Sequence, residues 1–382
     1  MELMIVVALI AIITPSITYL FLKMSQGMAG DEMRSQLQAL NEQTMMRVHE
    51  RVEATRHLFM DDLYYNTSTA TTMSSGLSFI AAVTLGMAAT TKANYPIVTG
   101  AQLAQCQPIA TVTNTAGSFS PASGTAADYG NCLLFGAYDS PQTIPGVTVV
   151  YRAPVTVQGA AITYSGTTNA GMPATVTVDL YRFYFYYLTS ANPRPLSSTT
   201  SYRLIEWQSV QYADFFEISD ISDGALKTSV VTWLATPGNP DPSITNYAVT
   251  LAWDPTQTDI RAAFYTLATT GATTPLTAVS AGGNITIPEA YSQALTRVSS
   301  GLLSNGFGYG ISPNSANWSS SPVSVPLFAT ANGNFPGGFE VGISGSAAGR
   351  EVLTRMVLVG QGATPKIQYN EDTMVHNVRD VW

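Results

Sequence analysis

The sequence predicts an α+β protein in which one long N-terminal α-helix, a stem, precedes a large antiparallel β-rich head of two lobes. Apolar residues dominate residues 3–22 and then recur at spacings of three and four up to Leu63, as on one face of a helix. After Tyr65, short alternating segments are separated by turn-forming residues, as in antiparallel strands. We therefore divide the chain into a helical segment, 1–65, and head lobes 66–235 and 236–382, with the turn-rich residues 236–243 as the boundary.

Composition narrows the class of protein. Charged residues make up 11% of the chain, the net charge is −8, and the 17 Lys and Arg residues form no basic run. A nucleic-acid groove or an anionic-lipid patch needs clustered cations, so neither is predicted. Residues 66–382 are poor in charge and rich in Thr, Ser, Gly and Asn, which is typical of an extracellular β-rich domain rather than a cytosolic enzyme.

The apolar run at residues 3–22 contains no charged side chain and is long enough to cross a bilayer. A cleaved signal peptide begins with positive charge, whereas here Glu2 comes first and Lys23 is the first cation. An ordinary membrane anchor explains the run but not Glu2. The third interpretation is a helix that polymerises with sister helices.

Two features inside the run bear on this choice. A carboxylate at Glu2 is costly in lipid or in a packed core unless a cation meets it, although it also fits in a headgroup region. Pro15 removes a backbone donor, so we expect a kink or melted turn at residues 11–16. The hydroxyls of Thr14 and Ser16 are expected to bond the freed carbonyls.

Beyond Lys23 the pattern is that of an amphipathic helix, with Glu and Arg opposite an apolar stripe. A continuous helix from residue 2 to about 64 would be roughly 90 Å long. Its first half needs lipid or sister helices, and its second half needs the head. The stripe consists of Met33, Leu37, Leu40, Thr44, Val48, Val52, Thr55, Phe59 and Leu63.

Residues 2–9, ELMIVVAL, closely resemble the start of the hydrophobic helix of type IV pilins. The resemblance implies that Glu2 is that family's N-terminal glutamate, which meets a neighbour's terminal amine, although only Met1 precedes it here. It also implies a homo-oligomeric helical filament at the bacterial cell surface, inner-membrane insertion before assembly, and a pilus or type II secretion assembly machinery as partner. The implied assembly residues are Glu2, Leu3, Val6, Val7, Ile10, Ile13 and Pro15.

The head is predicted to begin with an antiparallel meander of strands at 175–188, 201–207 and 209–218. A buried strand or helix at 76–87 and a strand at 246–253 are also expected. Residues 287–306 are predicted to form a helix that starts at Pro288, and strands at 325–330, 339–344 and 352–360 complete the head. The order of helix, Cys-containing loop and aromatic strands weakly resembles large minor pilins and J-type pseudopilins.

The chain has two cysteines, Cys106 and Cys132, in a Thr/Ser/Gly-rich region. In an exported chain this arrangement favours a disulfide, and two buried thiols are the alternative. Asn66, Asn284 and Asn317 stand in N-x-S/T sequons and are candidate glycosylation sites, although such sequons arise often by chance in this composition.

Metal and cofactor chemistry finds little support in the sequence. Asp214, Glu217, Asp220 and Asp223 form an acidic cluster that favours either a weak calcium site or, more simply, a solvated loop. His49 and His57 are poorly spaced for shared ligation, and no cofactor is predicted. No nucleophile elbow, P-loop or dinucleotide fingerprint occurs, so an enzyme is not predicted.

A dense aromatic run lies in the first predicted head strand. Because strand faces alternate, half of its side chains should face a core and the others a subunit interface, rather than serve electron hopping or sugar binding. The run consists of Tyr181, Phe183, Tyr184, Phe185, Tyr186 and Tyr187.

Three functions fit the sequence. The first is a structural subunit of an extracellular type IV pilus-like filament. The second is a low-copy tip subunit that acts as an adhesin, and the third is a type II secretion pseudopilin.

Overall fold

A computed structural model gives the architecture of the chain. The described residues are 2–59, 83–86, 88–90, 110–112, 127–130, 132–151, 164–165, 173–189, 195–196, 199–200, 202–221, 224–239, 248–257, 263–267, 276–279, 285–296, 308–311, 338–346, 349–361 and 367–378.

The N-terminal helix α1, Glu2–Glu53, has 52 residues and is about 78 Å long. It continues through Pro15, so the expected melting of residues 11–16 is not observed. The predicted extension towards Leu63 is wrong, since the chain turns into a strand at Thr55. The strand forms because this segment pairs with another strand of the head, and the Ala54 carbonyl already accepts a hydrogen bond from the Tyr138 amide at 3.0 Å. Leu63 lies outside the described residues.

The described part of the chain also contains two short helices, α2 Phe215–Ser219 and α3 Gly224–Leu234. Its strands are β1 Thr55–Phe59, β2 Val83–Gly86, β3 Ala110–Val112, β4 Ala127–Gly130, β5 Leu133–Tyr151, β6 Tyr164–Ser165, β7 Pro173–Thr189, β8 Pro195–Leu196, β9 Thr199–Thr200, β10 Arg203–Ser209, β11 Tyr212–Asp214, β12 Leu251–Trp253, β13 Phe264–Leu267, β14 Leu276–Ala278, β15 Ile285–Ala294, β16 Gly308–Ile311, β17 Phe339–Ser346, β18 Gly349–Gln361 and β19 Ile367–Val378.

The larger of two main sheets is built around the aromatic strand β7. One edge of β7 pairs with β5, and the other pairs first with β10 and then with β11. The sheet continues from β11 through β12, β13 and β14, and from β10 through β15 and β2. Most of its pairs are antiparallel, so the protein is α+β with a long helix and a large, mainly antiparallel β region.

Strands from before and after the predicted lobe boundary at 236–243 belong to this one sheet, because β11 and β12 are hydrogen-bonded in parallel. The predicted strand at 209–218 is shorter than expected. It ends at Asp214, where α2 begins.

The helix predicted for residues 287–306 is wrong in the part that the structure describes. Residues 285–294 form β15, which pairs with β10 on one side and with β2 on the other. The Pro288 carbonyl accepts a hydrogen bond from the Val210 amide at 3.0 Å, and Ile287 is fully buried. Sheet pairing therefore outweighs the helix-start signal at Pro288 on which the prediction rests.

The smaller sheet has the order β16-β18-β17-β4-β3, and β19 pairs with the opposite edge of β18. The strands β18 and β19 are antiparallel along their whole length, from Arg350 opposite Val378 to Gln361 opposite Ile367. The predicted strands at 339–344 and 352–360 correspond to β17 and β18, whereas the one predicted at 325–330 lies outside the described residues.

The second half of α1 shares one hydrophobic core with both sheets. The predicted stripe is confirmed at Met33, Leu37, Val48 and Val52, which are buried. This core also contains Met45 and Leu58, the large-sheet residues Leu133, Phe135, Ala137, Tyr184, Tyr186, Leu188 and Leu204, and the small-sheet residues Phe339, Val341, Ile343, Val352, Met356, Leu358 and Val378.

Candidate assembly surface

The first half of α1 presents a continuous apolar surface that no other described part of the chain covers. Its large apolar side chains are between 48% and 79% exposed. By length and composition this helix could cross a membrane, and none of its most apolar stretch is buried. We call this surface the apolar segment: Met4, Val6, Val7, Leu9, Ile10, Ile12, Ile13, Ile17, Tyr19, Leu20, Phe21, Leu22, Met24 and Met28.

Most of the predicted assembly residues lie in this segment. Val6, Val7, Ile10 and Ile13 are exposed large apolar side chains. Glu2 and Leu3 belong to α1, but their side chains lie outside the described ones.

Hydroxyl side chains around Pro15 are bonded within the helix. The Thr14 hydroxyl donates to the Ile10 carbonyl at 2.8 Å, the Ser16 hydroxyl donates to the Ile12 carbonyl at 3.1 Å, and the Thr18 hydroxyl donates to the Thr14 carbonyl at 2.8 Å. Pro15 leaves the Ala11 carbonyl, four residues earlier, without its usual backbone donor. The hydroxyls of Thr14 and Ser16 bond the carbonyls on either side of Ala11, so the expected bonds to the freed carbonyl are not observed. Because the hydroxyls already have partners, the segment can enter an apolar environment at lower cost.

An ion pair between the half-buried Arg47 and the fully buried Glu206 fixes the second half of α1 to the large sheet. The Arg47 guanidinium donates to both carboxylate oxygens of Glu206, at 2.7 and 3.0 Å, and the Tyr186 hydroxyl donates to the same carboxylate at 2.8 Å. Burial alone would raise the pKa of Glu206, but the hydrogen bonds from Arg47 and Tyr186 outweigh it and lower that pKa. The carboxylate therefore stays ionised inside the sheet.

A histidine pair joins α1 to the small sheet. The Nδ1 atoms of His49 and His376 are 2.7 Å apart, so one of them carries the shared proton. His376 Nε2 lies 2.8 Å from the Thr354 hydroxyl, and His49 Nε2 lies 3.2 Å from a Glu53 oxygen. Burial and the neighbouring His49 lower the pKa of His376 to about 4.

Sequence reasoning missed both of these contacts. Arg47 and Glu206 are separated by 159 residues, and His49 and His376 by 327. The one signal for Glu206 in the sequence is an acid that stands among the strand-forming residues 201–207. His57, the other histidine on the predicted helix, lies in β1 with its ring centroid 4.9 Å from that of Phe59.

The acidic cluster has structural roles in the fold. Asp214 is the N-cap of α2: its carboxylate accepts from the Glu217 amide at 3.0 Å and from the Tyr181 hydroxyl at 3.1 Å. Glu217 accepts from the Asp179 amide, and partial burial of its carboxylate beside Asp214 raises its pKa to about 7. Asp220 is the C-cap of the same helix, and Asp223 lies outside the described residues. Within the described residues, no three His, Cys, Asp or Glu side chains are arranged to hold a metal ion.

The aromatic run of β7 is buried on both faces of the sheet, so the expectation that half of it faces a subunit interface is wrong. Tyr184 and Tyr186 pack in the core that contains α1. Tyr181, Phe183, Phe185 and Tyr187 pack on the other face with Trp207 and Trp253. One face is covered by α1 and the small sheet, and on the other face the aromatic side chains pack with those of neighbouring strands.

The remaining candidate sites fall largely outside the described residues. Cys132 is buried at the start of β5, but Cys106 lies outside, so their disulfide stays a prediction. The sequon residues Asn66, Asn284 and Asn317 also lie outside.

Comparison with known proteins gives this chain no relative: no protein-family model, no curated protein and no solved structure matches it.

Proposed function

We propose that the chain is the structural subunit of an extracellular, type IV pilus-like filament that polymerises by packing its apolar segment against those of sister copies. The observation that carries the proposal is the contrast along one helix. The apolar segment is exposed on all sides, whereas the residues from Met33 onwards are held by the head.

Burial of the apolar segment would drive assembly. Each fully buried Val, Leu, Ile, Phe or Met side chain contributes about 1.5–3 kcal/mol relative to water. While the protein is in the inner membrane, lipid covers these side chains. On extraction into a filament, sister helices take the place of lipid, and the hydroxyls around Pro15 need no new partner.

The contacts between stem and head suit a subunit that transmits force along a filament. The buried stripe, the Arg47–Glu206 pair and the His49–His376 pair bind α1 to both sheets. Pulling on the helix therefore loads both sheets. The pilin-like residues 2–9 are consistent with this arrangement.

The test is to place a charge in the apolar segment. We expect Val6→Asp and Ile10→Asp to abolish filaments, because an unpaired carboxylate would be buried in the helix core. Met46→Asp is the matched control, since Met46 is 48% exposed on the same helix but outside the apolar segment. Normal filament yield from Val6→Asp, scored by sedimentation and negative-stain microscopy, would overturn the proposal.

Two related roles use the same helix, and immunogold labelling separates them. Label along the whole shaft supports the main structural subunit. Label confined to the ends supports a low-copy tip subunit that acts as an adhesin, and a short periplasmic structure without external fibres supports a type II secretion pseudopilin.

A plain membrane anchor is the simplest competing function, because the apolar segment is also long enough to span a bilayer. It predicts that the protein stays in the membrane fraction under every growth condition, with no sedimentable fibre.

A further inference from the structure

We propose that sister subunits pack in parallel with an axial offset of about 31 Å, fixed by an ion pair between Glu2 of one copy and Lys23 of another. This inference rests on the proposed filament and goes beyond it by naming the register of the assembly. It gives Glu2 a neighbour's Lys23 as its partner in place of the terminal amine that the pilin resemblance implies.

The observation behind it is the pair of charges that bound the apolar segment. Between residues 2 and 30 the sequence has one acid, Glu2, and one base, Lys23. Lys23 is exposed, with its ammonium 5.8 Å from the ring centroid of Tyr19. In the described part of the chain it makes no ion pair.

Helix geometry sets the distance between the two positions. Residues 2 and 23 are 21 positions apart on the continuous helix α1, which gives about 31 Å along its axis at 1.5 Å per residue. At about 100° per residue, the two positions differ by about 60° around the axis, so they share one side of the helix. A side that carries both charges can face the axis of a helix bundle.

The same spacing suits the membrane before assembly. The hydrocarbon core of a bilayer is about 30 Å thick, so Glu2 and Lys23 would each reach one headgroup region. In a bundle of sister helices no headgroups remain. Each charge then needs a partner, because an uncompensated charge in an apolar core is costly.

An offset of 21 residues between parallel copies brings Glu2 level with Lys23 and pairs both charges at once. The repeat is heterologous, so it leaves a free Glu2 at one end and a free Lys23 at the other, and it continues as an open polymer. An antiparallel pair would also match the charges, but it closes as a two-fold dimer and stops growth. The filament therefore selects the parallel arrangement, and the occupant of the apolar face is a second copy of this chain.

The test is a charge swap in the full-length protein. We expect Glu2→Lys and Lys23→Glu each to lower filament yield by about tenfold or more, since each places like charges together. The double variant Glu2→Lys/Lys23→Glu should recover to within about twofold of wild type. Glu32→Lys is the matched control, because Glu32 is an exposed acid on the same helix beyond the apolar segment, and it should assemble normally.

Yields are normalised to the copies of each variant in the membrane fraction, so that a defect in insertion is not counted as a defect in assembly. Single variants that assemble at wild-type yield, or a double variant that stays as poor as the singles, would overturn the ion pair while leaving the filament intact. A wild-type protein that forms no filament would instead overturn the proposed function.

A second measurement needs no charge change. A photo-crosslinker that replaces Met24, mapped by mass spectrometry in filaments, should form adducts with residues near Leu3 of a neighbouring copy. Adducts confined to other parts of the neighbour's helix, or a closed dimer as the sole crosslinked species, would overturn the offset.

Discussion

Along α1, the first half is richer in apolar residues than the second half, and the two halves have different surroundings. Val6 and Ile10 are more than half exposed, whereas Val48 and Val52 are fully buried against the head. The second half is amphipathic and is satisfied within its own chain. The first half is apolar on all sides, so it requires a cover from outside the chain. The same helix therefore provides both a folding interface and an assembly interface.

The largest effect that distinguishes the halves is on monomer stability. Val48→Asp buries an unpaired charge in the shared core, so we expect it to cost about 4 kcal/mol or more. Val6→Asp should leave the free energy of unfolding within about 0.5 kcal/mol of wild type, because Val6 is exposed in the monomer. Denaturant unfolding of the full chain in detergent measures both. Equal destabilisation by the two substitutions would contradict the division of α1.

Acid should weaken the contact between the second half and the small sheet. The pKa of His376 is lowered to about 4 from its ordinary 6.5, so the folded state prefers the neutral imidazole. This contribution is complete above pH 6.5 and is lost progressively as pH falls towards 4, and the total loss is about 3 kcal/mol.

The pKa of Glu217 is raised to about 7, so this group acts in the opposite direction. Its contribution to the free energy of unfolding is present at low pH and is lost as pH rises towards 7. The His376 contribution is therefore read as the difference between wild type and His376→Gln in unfolding experiments from pH 7 to pH 4. Parallel pH profiles for the two proteins would refute it.

A smaller loss of stability is expected from the ion pair with the large sheet. Arg47→Met leaves the buried Glu206 carboxylate without its cation, which we expect to cost about 2–3 kcal/mol. The cost is at the low end for a broken buried pair because the Arg47 side chain is 37% exposed. In the double variant Arg47→Met/Glu206→Gln the loss should be smaller. A double variant less stable than Arg47→Met alone would show that Glu206 does not depend on Arg47.

The local sequence pattern was sufficient to predict three features of the fold. The apolar segment, the buried stripe at Met33, Leu37, Val48 and Val52, and the aromatic strand follow from period and composition, and the structure contains each of them. The end of α1 was missed because Thr55–Phe59 pairs with β5, which lies far along the chain.

The other predictions failed because the structure of those segments depends on residues distant in the sequence. Pro288 has the position of a helix start, yet pairing with β10 and β2 makes residues 285–294 a strand. The contacts of Arg47 with Glu206 and of His49 with His376 join residues that no local pattern connects. The burial of both faces of β7 likewise depends on α1 and on strands from several parts of the chain.

A helical reconstruction of the native assembly by electron cryomicroscopy would show where the apolar segments lie in the filament. We expect the apolar segments, from Met4 to Met28, to form a parallel bundle around the filament axis, with the two sheets of each head outside it. Apolar segments that lie at the filament surface, or that remain in lipid while the heads alone make contact, would contradict the account.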